Sequence, residues 1–438
     1  MKLKVKYFII ITACISFAIH SCKVSEKNPQ SPIQLTKNLI NNNEVFKYSF
    51  TGFVLYDVKN AAEVININGD KLFTPASNTK ILTYYTAINV LNDSIPVLKY
   101  CIEGDSLIFY GTGNPLPLNN KLGFDTTLTD FLRQRNERLF YCSSNFNDDI
   151  YGEGWAWDDY LFQYHLEKSA LPLYGNKITA FFSSDSIYFY PEMIREKVIF
   201  TNDSFYFARS FDKNDFHLGT FISGEELILP FKTDNEFVVS LLSQEIKRPI
   251  EMIKTRAKPG GCKILRQPTG DSIYIRLMHN SDNFIAEQLM LMCSGIMYDT
   301  MEVKRSINYA INDLMPFLKD SCRWVDGSGL SRYNLLKPNS LIRVLHLILE
   351  KQGIDRIKII FPEINTAPDK DPIKNGLYYA GVYAKSGSLS NNYNLSGYII
   401  TNKSNLYTFS FMNNHFLKNN RSIKSEVFKV LNQIIENY

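Results

Sequence analysis

The 438-residue chain lacks most of what would place it in a nucleic-acid, metal or membrane-spanning class. Its 48 Lys+Arg against 44 Asp+Glu leave a formal charge of +4, too small to imply a polyanionic partner, so no nucleic acid is expected. The six histidines are scattered, and His165, His217, His279, His346 and His415 have no acidic or cysteine partner at ligand spacing. The cysteines beyond Cys22 (Cys101, Cys142, Cys262, Cys293 and Cys322) are likewise dispersed and odd in number. They suggest no metal site and leave any disulfide pairing unreadable. No low-complexity tract, internal repeat or second long apolar run follows the N-terminus. What remains is an ordinary globular balance, 45% hydrophobic and 21% charged, in a chain long enough for two or three packed units.

The N-terminus is distinctive. Lys2, Lys4 and Lys6 precede an apolar stretch from Tyr7 to Ile19 and then Ser21-Cys22, which makes residues 1–21 an export signal. The order Ile19-His20-Ser21-Cys22 resembles a lipoprotein signal, although His20 stands where a small residue is usual. That resemblance implies lipidation at Cys22, an anchor in a membrane and a location in the periplasm or cell envelope. Residues 22–45, with Pro29 and Pro32, read as a tether.

Residues 52–56 and 64–67 alternate as paired strands about Lys59-Asn60, and apolar spacing from Ser77 to Leu91 predicts a helix. From 97 to 250 short aromatic and β-branched runs, such as 106–110 and 186–190, alternate with turn residues. Helical spacing returns at Phe284, Ile285, Leu289 and Met292, and again at Leu341, Val344, Leu345 and Ile348. Three strands (379–385, 395–401 and 406–412) and a terminal amphipathic helix follow. The expected class is α+β. Residues 46–96 and 251–438 form one domain, an antiparallel sheet flanked by helices, and 97–250 form a β-rich insertion.

Three motifs occur in order: Ser77-Asn78-Thr79-Lys80, Ser281-Asp282-Asn283 and Lys385-Ser386-Gly387. Together they match the S-x-x-K, S-x-N and K-[ST]-G set of penicillin-recognising serine enzymes. Singly they are weak, since Ser210-Phe211-Asp212-Lys213 repeats the first, and Ser143-Ser144-Asn145 and Ser390-Asn391-Asn392 repeat the second. Local context separates them. Ser77 opens a helix, where an offset of three puts Lys80 one turn along on the same face. Ser210 lies in a strand-like stretch, where that offset sends side chains to opposite faces. Capping is the bland alternative for both Ser77 and Ser281, and a solvated strand end for Lys385. Chemically, a serine hydroxyl needs a base, and Lys80 serves only as a neutral amine. Burial and a second cation such as Lys385 would both favour that form. Ser281 would relay a proton and Asn283 contact a substrate amide. Gly387 would let a substrate backbone approach.

With these motifs the sequence resembles the D-alanyl-D-alanine carboxypeptidases/endopeptidases of the penicillin-binding protein 4 type. The long interval between Ser77 and Ser281, the segment Gly154-Trp155-Ala156-Trp157-Asp158-Asp159 and the run from Asp326 to Asn334 (DGSGLSRYN) carry the resemblance further. So do Ser396-Gly397-Tyr398 and residues 409–413. Ser386 stands where threonine is common, and Asn114 replaces the aspartate of a Gly-Asp-Pro segment. The resemblance implies a transpeptidase-like fold shared with β-lactamases and an acyl-enzyme on Ser77 with Lys80 as base. It implies an oxyanion hole from the N–H groups of Ser77 and Ser388, and a carboxylate clamp from Lys385 and Ser386. Peptidoglycan stem peptides would be the substrate and β-lactams covalent inhibitors, with no metal or organic cofactor. Two rivals stand beside it. One is a related esterase or β-lactamase using Tyr174-Gly175-Asn176 as its central motif. The other is a catalytically silent, lipid-anchored peptidoglycan-binding module.

Overall fold

The computed structural model describes residues 30–92, 94–204, 206–220, 223–254, 261–364 and 381–438. The expected export signal, Cys22 and the start of the tether lie outside them. The tether reading fails from Pro32 onward. Ser31 accepts from Gln34 N–H and Pro32 occupies the first turn of helix α1 (Pro32–Asn41), two start signals that make this stretch helical. Strands β1 (Phe50–Asp57) and β2 (Ala62–Ile67) form the expected hairpin, with Phe53 opposite Ile67, and the Asp57 carboxylate accepts from Asn60 N–H in the turn (2.9 Å). A 3₁₀ turn at Ala76–Thr79 then leads into α2 (Lys80–Val90).

The middle of the chain comprises β3 (Ser94–Glu103), β4 (Ser106–Tyr110), α3 (Thr127–Arg133), β5 (Arg138–Tyr141), β6 (Lys177–Phe182) and β7 (Ile187–Tyr190). It continues through β8 (Val198–Ser204), β9 (Phe207–Arg209), β10 (Phe216–Thr220), β11 (Glu226–Pro230), α4 (Asn235–Ile246), β12 (Ile250–Met252) and β13 (Cys262–Pro268). These strands make three sheets: β12-β5-β4-β3-β13, β11-β6-β7 and β8-β10-β9. The inserted region therefore reaches past residue 250, because β12 pairs with β5 and β13 pairs with β3. Cys101 and Cys262 stand opposite one another across β3 and β13 and form a disulfide. The second S-x-x-K, at Ser210, lies in the turn between β9 and β10 and not in a strand.

Helices α5 (Asp271–His279), α6 (Asn283–Tyr298), α7 (Val303–Tyr309) and α8 (Pro338–Ile360) follow, then β14 (Val382–Leu389), β15 (Asn392–Ile400), β16 (Leu406–Asn414) and α9 (Asn420–Asn437). One antiparallel sheet, ordered β14-β15-β16-β1-β2, unites both ends of the chain. Strand alternation divides its two faces. Phe53, Leu55, Phe409 and Phe411 pack with Ile423, Val427, Leu431 and Ile434 of α9, and with Ile40 of α1. Each such side chain contributes about 1.5–3 kcal/mol on full burial. On the other face the Tyr398 hydroxyl donates to Leu345 O in α8 (2.7 Å) and the Ser396 hydroxyl to Asn78 Oδ1 (2.7 Å). The α+β expectation holds. Strand β14 does not end at Lys385 as expected. Pairing with β15 continues to Leu389, so the third motif lies within an edge strand.

Candidate active site

Ser77 sits on the 3₁₀ turn before α2, and its hydroxyl caps no helix. The preceding residue, Ala76, has φ +49°, a left-handed backbone that non-glycine residues rarely adopt. The turn is held from three sides. Asn78 Nδ2 donates to Lys385 O (2.8 Å), Thr79 Oγ1 to Ala76 O (2.9 Å), and Asn78 Oδ1 accepts from Ser396. The second residue of the first motif thus ties the turn to the strand of the third. Gly387 matters here: a Cβ on it would lie 2.5 Å from Pro75 O. Its closest partner is the Ser77 turn, where the sequence had suggested a substrate backbone.

Lys80 is fully buried, and its Nζ donates to Ser77 Oγ (2.8 Å), Asn283 Oδ1 (2.7 Å) and Ser328 O (2.6 Å). The one-turn offset therefore does bring the amine to the hydroxyl. Burial pushes the Lys80 ammonium down to about 8, against the opposing pull of Asp326, Glu287 and Asp282. Lys385 is also buried, and its Nζ donates to Ser386 O (2.8 Å). Burial, then the charge of Lys80, holds it well below the usual lysine range. The repulsion between the two cations thus acts on Lys385. For Lys80, desolvation is the cause of the shift.

In the second motif Asp282 caps α6 by accepting from Ile285 N–H (3.1 Å), and it pairs with Arg276 (3.0 Å). Because Asp282 does the capping, Ser281, at φ +55°, keeps its side chain free to face the cleft. Asn283 opens the helix with both ends engaged, Oδ1 by Lys80 and Nδ2 on Tyr164 O (2.9 Å). Ser77, Ser281, Asn283 and Ser388 line one cavity of about 600 Å³, together with Tyr164 and Arg332. Ser386 lines a neighbouring cavity of about 250 Å³, which it shares with Ser388.

The Asp326–Asn334 run is a tightly wired loop. The buried Asp326 carboxylate accepts from Gly329 N–H (2.7 Å), Ser331 N–H (2.7 Å), Asn334 Nδ2 (2.7 Å) and Trp155 Nε1 (2.9 Å). Trp155 belongs to the segment singled out in the insertion, so the two distant matches meet. Asn114, where an aspartate is usual, donates to Pro96 O (3.2 Å), a bond that a carboxylate could not make. In the competing Tyr174-Gly175-Asn176 motif, the buried Asn176 amide donates to Glu167 O (2.8 Å) and Ser169 Oγ (2.9 Å), and the Tyr174 hydroxyl to Glu245 (2.9 Å). These groups are structural and lie away from the cleft lining. Sequence reasoning missed the Ser328 carbonyl, which has no residue-type signature. It also missed Glu287, the one charged residue of a largely apolar helix, buried four residues after Asn283, a spacing that signals a shared face.

Comparisons with known proteins bear on the family and the fold. The D-Ala-D-Ala carboxypeptidase 3 (S13) family model matches residues 271–434. A stretch of 145 residues is 28% identical to D-alanyl-D-alanine carboxypeptidase DacB of Haemophilus influenzae, covering 31% of this chain and 30% of that relative. The crystal structure of penicillin-binding protein 4 (dacB) from H. influenzae superposes with a TM-score of 0.70 at 17% identity, over 92% of this chain and 99% of that one. The same protein complexed with a β-lactam gives 0.65 at 14% identity, again over 92% of this chain and 99% of that one. The chain thus matches the D-Ala-D-Ala carboxypeptidase family pattern in its C-terminal part and shares the fold of penicillin-binding protein 4 along nearly its whole length.

Proposed function

We propose that the chain is an exported serine-type D-Ala-D-Ala carboxypeptidase/endopeptidase that cuts peptidoglycan stem peptides through an acyl-enzyme on Ser77. The hydrogen-bond set of Lys80 carries this reading. An ammonium has three N–H donors and three acceptors surround this one. When Lys80 loses a proton, Asn283 Oδ1 and Ser328 O still take its two remaining N–H groups. The lone pair is then left to face Ser77 Oγ, the orientation a general base needs.

Ser77 Oγ attacks the carbonyl carbon of the penultimate D-Ala, and its proton passes to Lys80. N–H groups of Ser77 and Ser388 stabilise the oxyanion. As the C–N bond breaks, Ser281 relays a proton to the leaving amine, while Lys385 and Ser386 hold the terminal carboxylate. Asn283 contacts the stem amide once substrate displaces Tyr164 O from its Nδ2. Water then hydrolyses the ester and releases Ser77. A β-lactam acylates the same hydroxyl, but its cleaved amine stays tethered and the ester persists. No step needs a metal or organic cofactor. The Lys2–Cys22 region supports export and anchoring at Cys22, which places the enzyme in the periplasm or envelope beside its substrate.

The test is mass spectrometry of purified muropeptides incubated with the exported domain. Loss of one D-Ala reports carboxypeptidase action, and cleavage of cross-links reports endopeptidase action. Ser77→Ala should abolish both. A Ser77→Ala protein that still releases D-Ala would refute the proposal, and wall-fragment binding with no product from the wild type would favour the silent binding module.

A further inference from the structure

The Lys80 geometry depends on where the Ser328 carbonyl points, and that is set from beneath the loop by two acids. A peptide unit is planar and trans, so its N–H and C=O point in opposite directions. The unit that carries Ser328 O also carries Gly329 N–H, which donates to Asp326 Oδ1 (2.7 Å). Asp326 and Lys80 therefore grip opposite ends of one plane. The two preceding N–H groups both go to a single side chain: Gly327 N–H donates to Glu287 Oε2 (3.0 Å) and Ser328 N–H to Glu287 Oε1 (2.7 Å). The Thr83 hydroxyl, one turn after Lys80, donates to Gly327 O (2.6 Å) and completes the clamp.

Glu287 is 1% exposed, and its buried carboxylate is compensated by the two loop N–H groups that it accepts. It lies one turn beyond Asn283 on α6, so a single helix face supplies both the amide and the carboxylate that set the two acceptors of Lys80. We propose that Glu287 is a positioning residue of the reaction: by gripping Gly327 and Ser328 N–H, it holds the Ser328 carbonyl where it takes one Lys80 proton and leaves the amine's lone pair to Ser77. This rests on the reading of Ser77 and Lys80 given above.

Charge gives the same residue a second, measurable effect. Facing Glu287 are Asp326 from the loop, Lys168 from the insertion and Lys80 from α2, and Lys168 is itself paired with Asp148 (3.1 Å). Burial, then Asp326, raises the Glu287 carboxyl above its ordinary range, while Lys168 and the loop N–H groups pull it down. Its negative charge in turn raises Lys80, so removing that charge lets Lys80 deprotonate at lower pH.

The experiment measures the second-order rate of benzylpenicillin acylation against pH for the wild-type exported domain, Glu287→Gln and Glu287→Asp. In Glu287→Gln the amide oxygen can still accept one N–H, but its NH₂ meets the other. The expected result is a plateau rate lower by on the order of 100-fold, from a misplaced base, with the acidic limb moved down by about one unit and non-covalent penicillin affinity unchanged. Glu287→Asp keeps the charge and shortens the reach, so its rate should fall while the limb stays in place. If the wild type acylates at Ser77 and Glu287→Gln matches it in both rate and limb, Glu287 has no such role. If Glu287→Gln does not fold, a wild-type rate in Glu287→Asp overturns the proposal equally. Failure of the wild type to acylate at all would instead remove the underlying reading.

Discussion

At the residue scale, the central fact is a buried amine with three acceptors and a lowered pKa. The sign of the pH effect follows. Below about 8 Lys80 holds its proton and cannot accept one from Ser77. The acylation rate should therefore rise as pH increases through about 8 and then level off. A benzylpenicillin acylation profile checks this, and a rate that falls across that window would contradict Lys80 as base. Part of this site was legible in the sequence. An offset of three at a helix start was enough to pair Ser77 with Lys80. The rest was hidden for identifiable reasons. The Ser328 contribution is a backbone carbonyl, which any residue type could supply. The burial that lowers Lys80 comes from packing by α6 and the 326–334 loop, both far away in the chain. The two-cation argument favours a lower Lys80, but the repulsion falls on Lys385, whose Nζ donates to Ser386 O.

At the element scale, the edge strand β14 and the Ser77 turn are fitted to each other by Asn78 and Gly387. The hydrophobic run made the strand legible, but its end was misjudged. Ser386-Gly387-Ser388 lack β-branched or aromatic side chains, and it is pairing with β15 that keeps them extended. The segment 32–41 departs the other way: its prolines suggest a tether, but Ser31 caps a helix that Pro32 starts. The disulfide could not be inferred, because it requires knowing that β3 and β13 are neighbours. It joins residues separated by 161 positions and lies in the inserted sheet, away from the cleft. The Cys101→Ser/Cys262→Ser double variant should lose about 2–4 kcal/mol of stability while still acylating at 25 °C. Thermal denaturation beside penicillin labelling tests this, and an unchanged melting temperature would mean the bond does not support the sheet.

At the scale of the whole molecule, one sheet closes by pairing β1 with β16, so the first and last parts of the chain form a single body with the remainder inserted between them. The sequence showed this in outline, through strands and helices at both ends and a β-rich middle. The division of the middle into three sheets was not legible, since short aromatic strands do not reveal their partners. The C-terminal helix also holds α1, through Tyr438 OH donating to Thr36 Oγ1 (3.0 Å), and just past α1 Asn43 Nδ2 donates to the Glu426 carboxylate (2.7 Å). Among the described residues no helix is long and apolar enough to cross a membrane. This architecture brings Ser77, Ser281, Asn283 and, beside the third motif, Ser388 to one cleft, and the account depends on the covalent chemistry proposed for them. Peptide mapping of the exported domain after reaction with benzylpenicillin tests that most directly. A single penicilloyl group on the peptide containing Ser77 is the predicted result; an adduct on any other serine, or none at all, would contradict it.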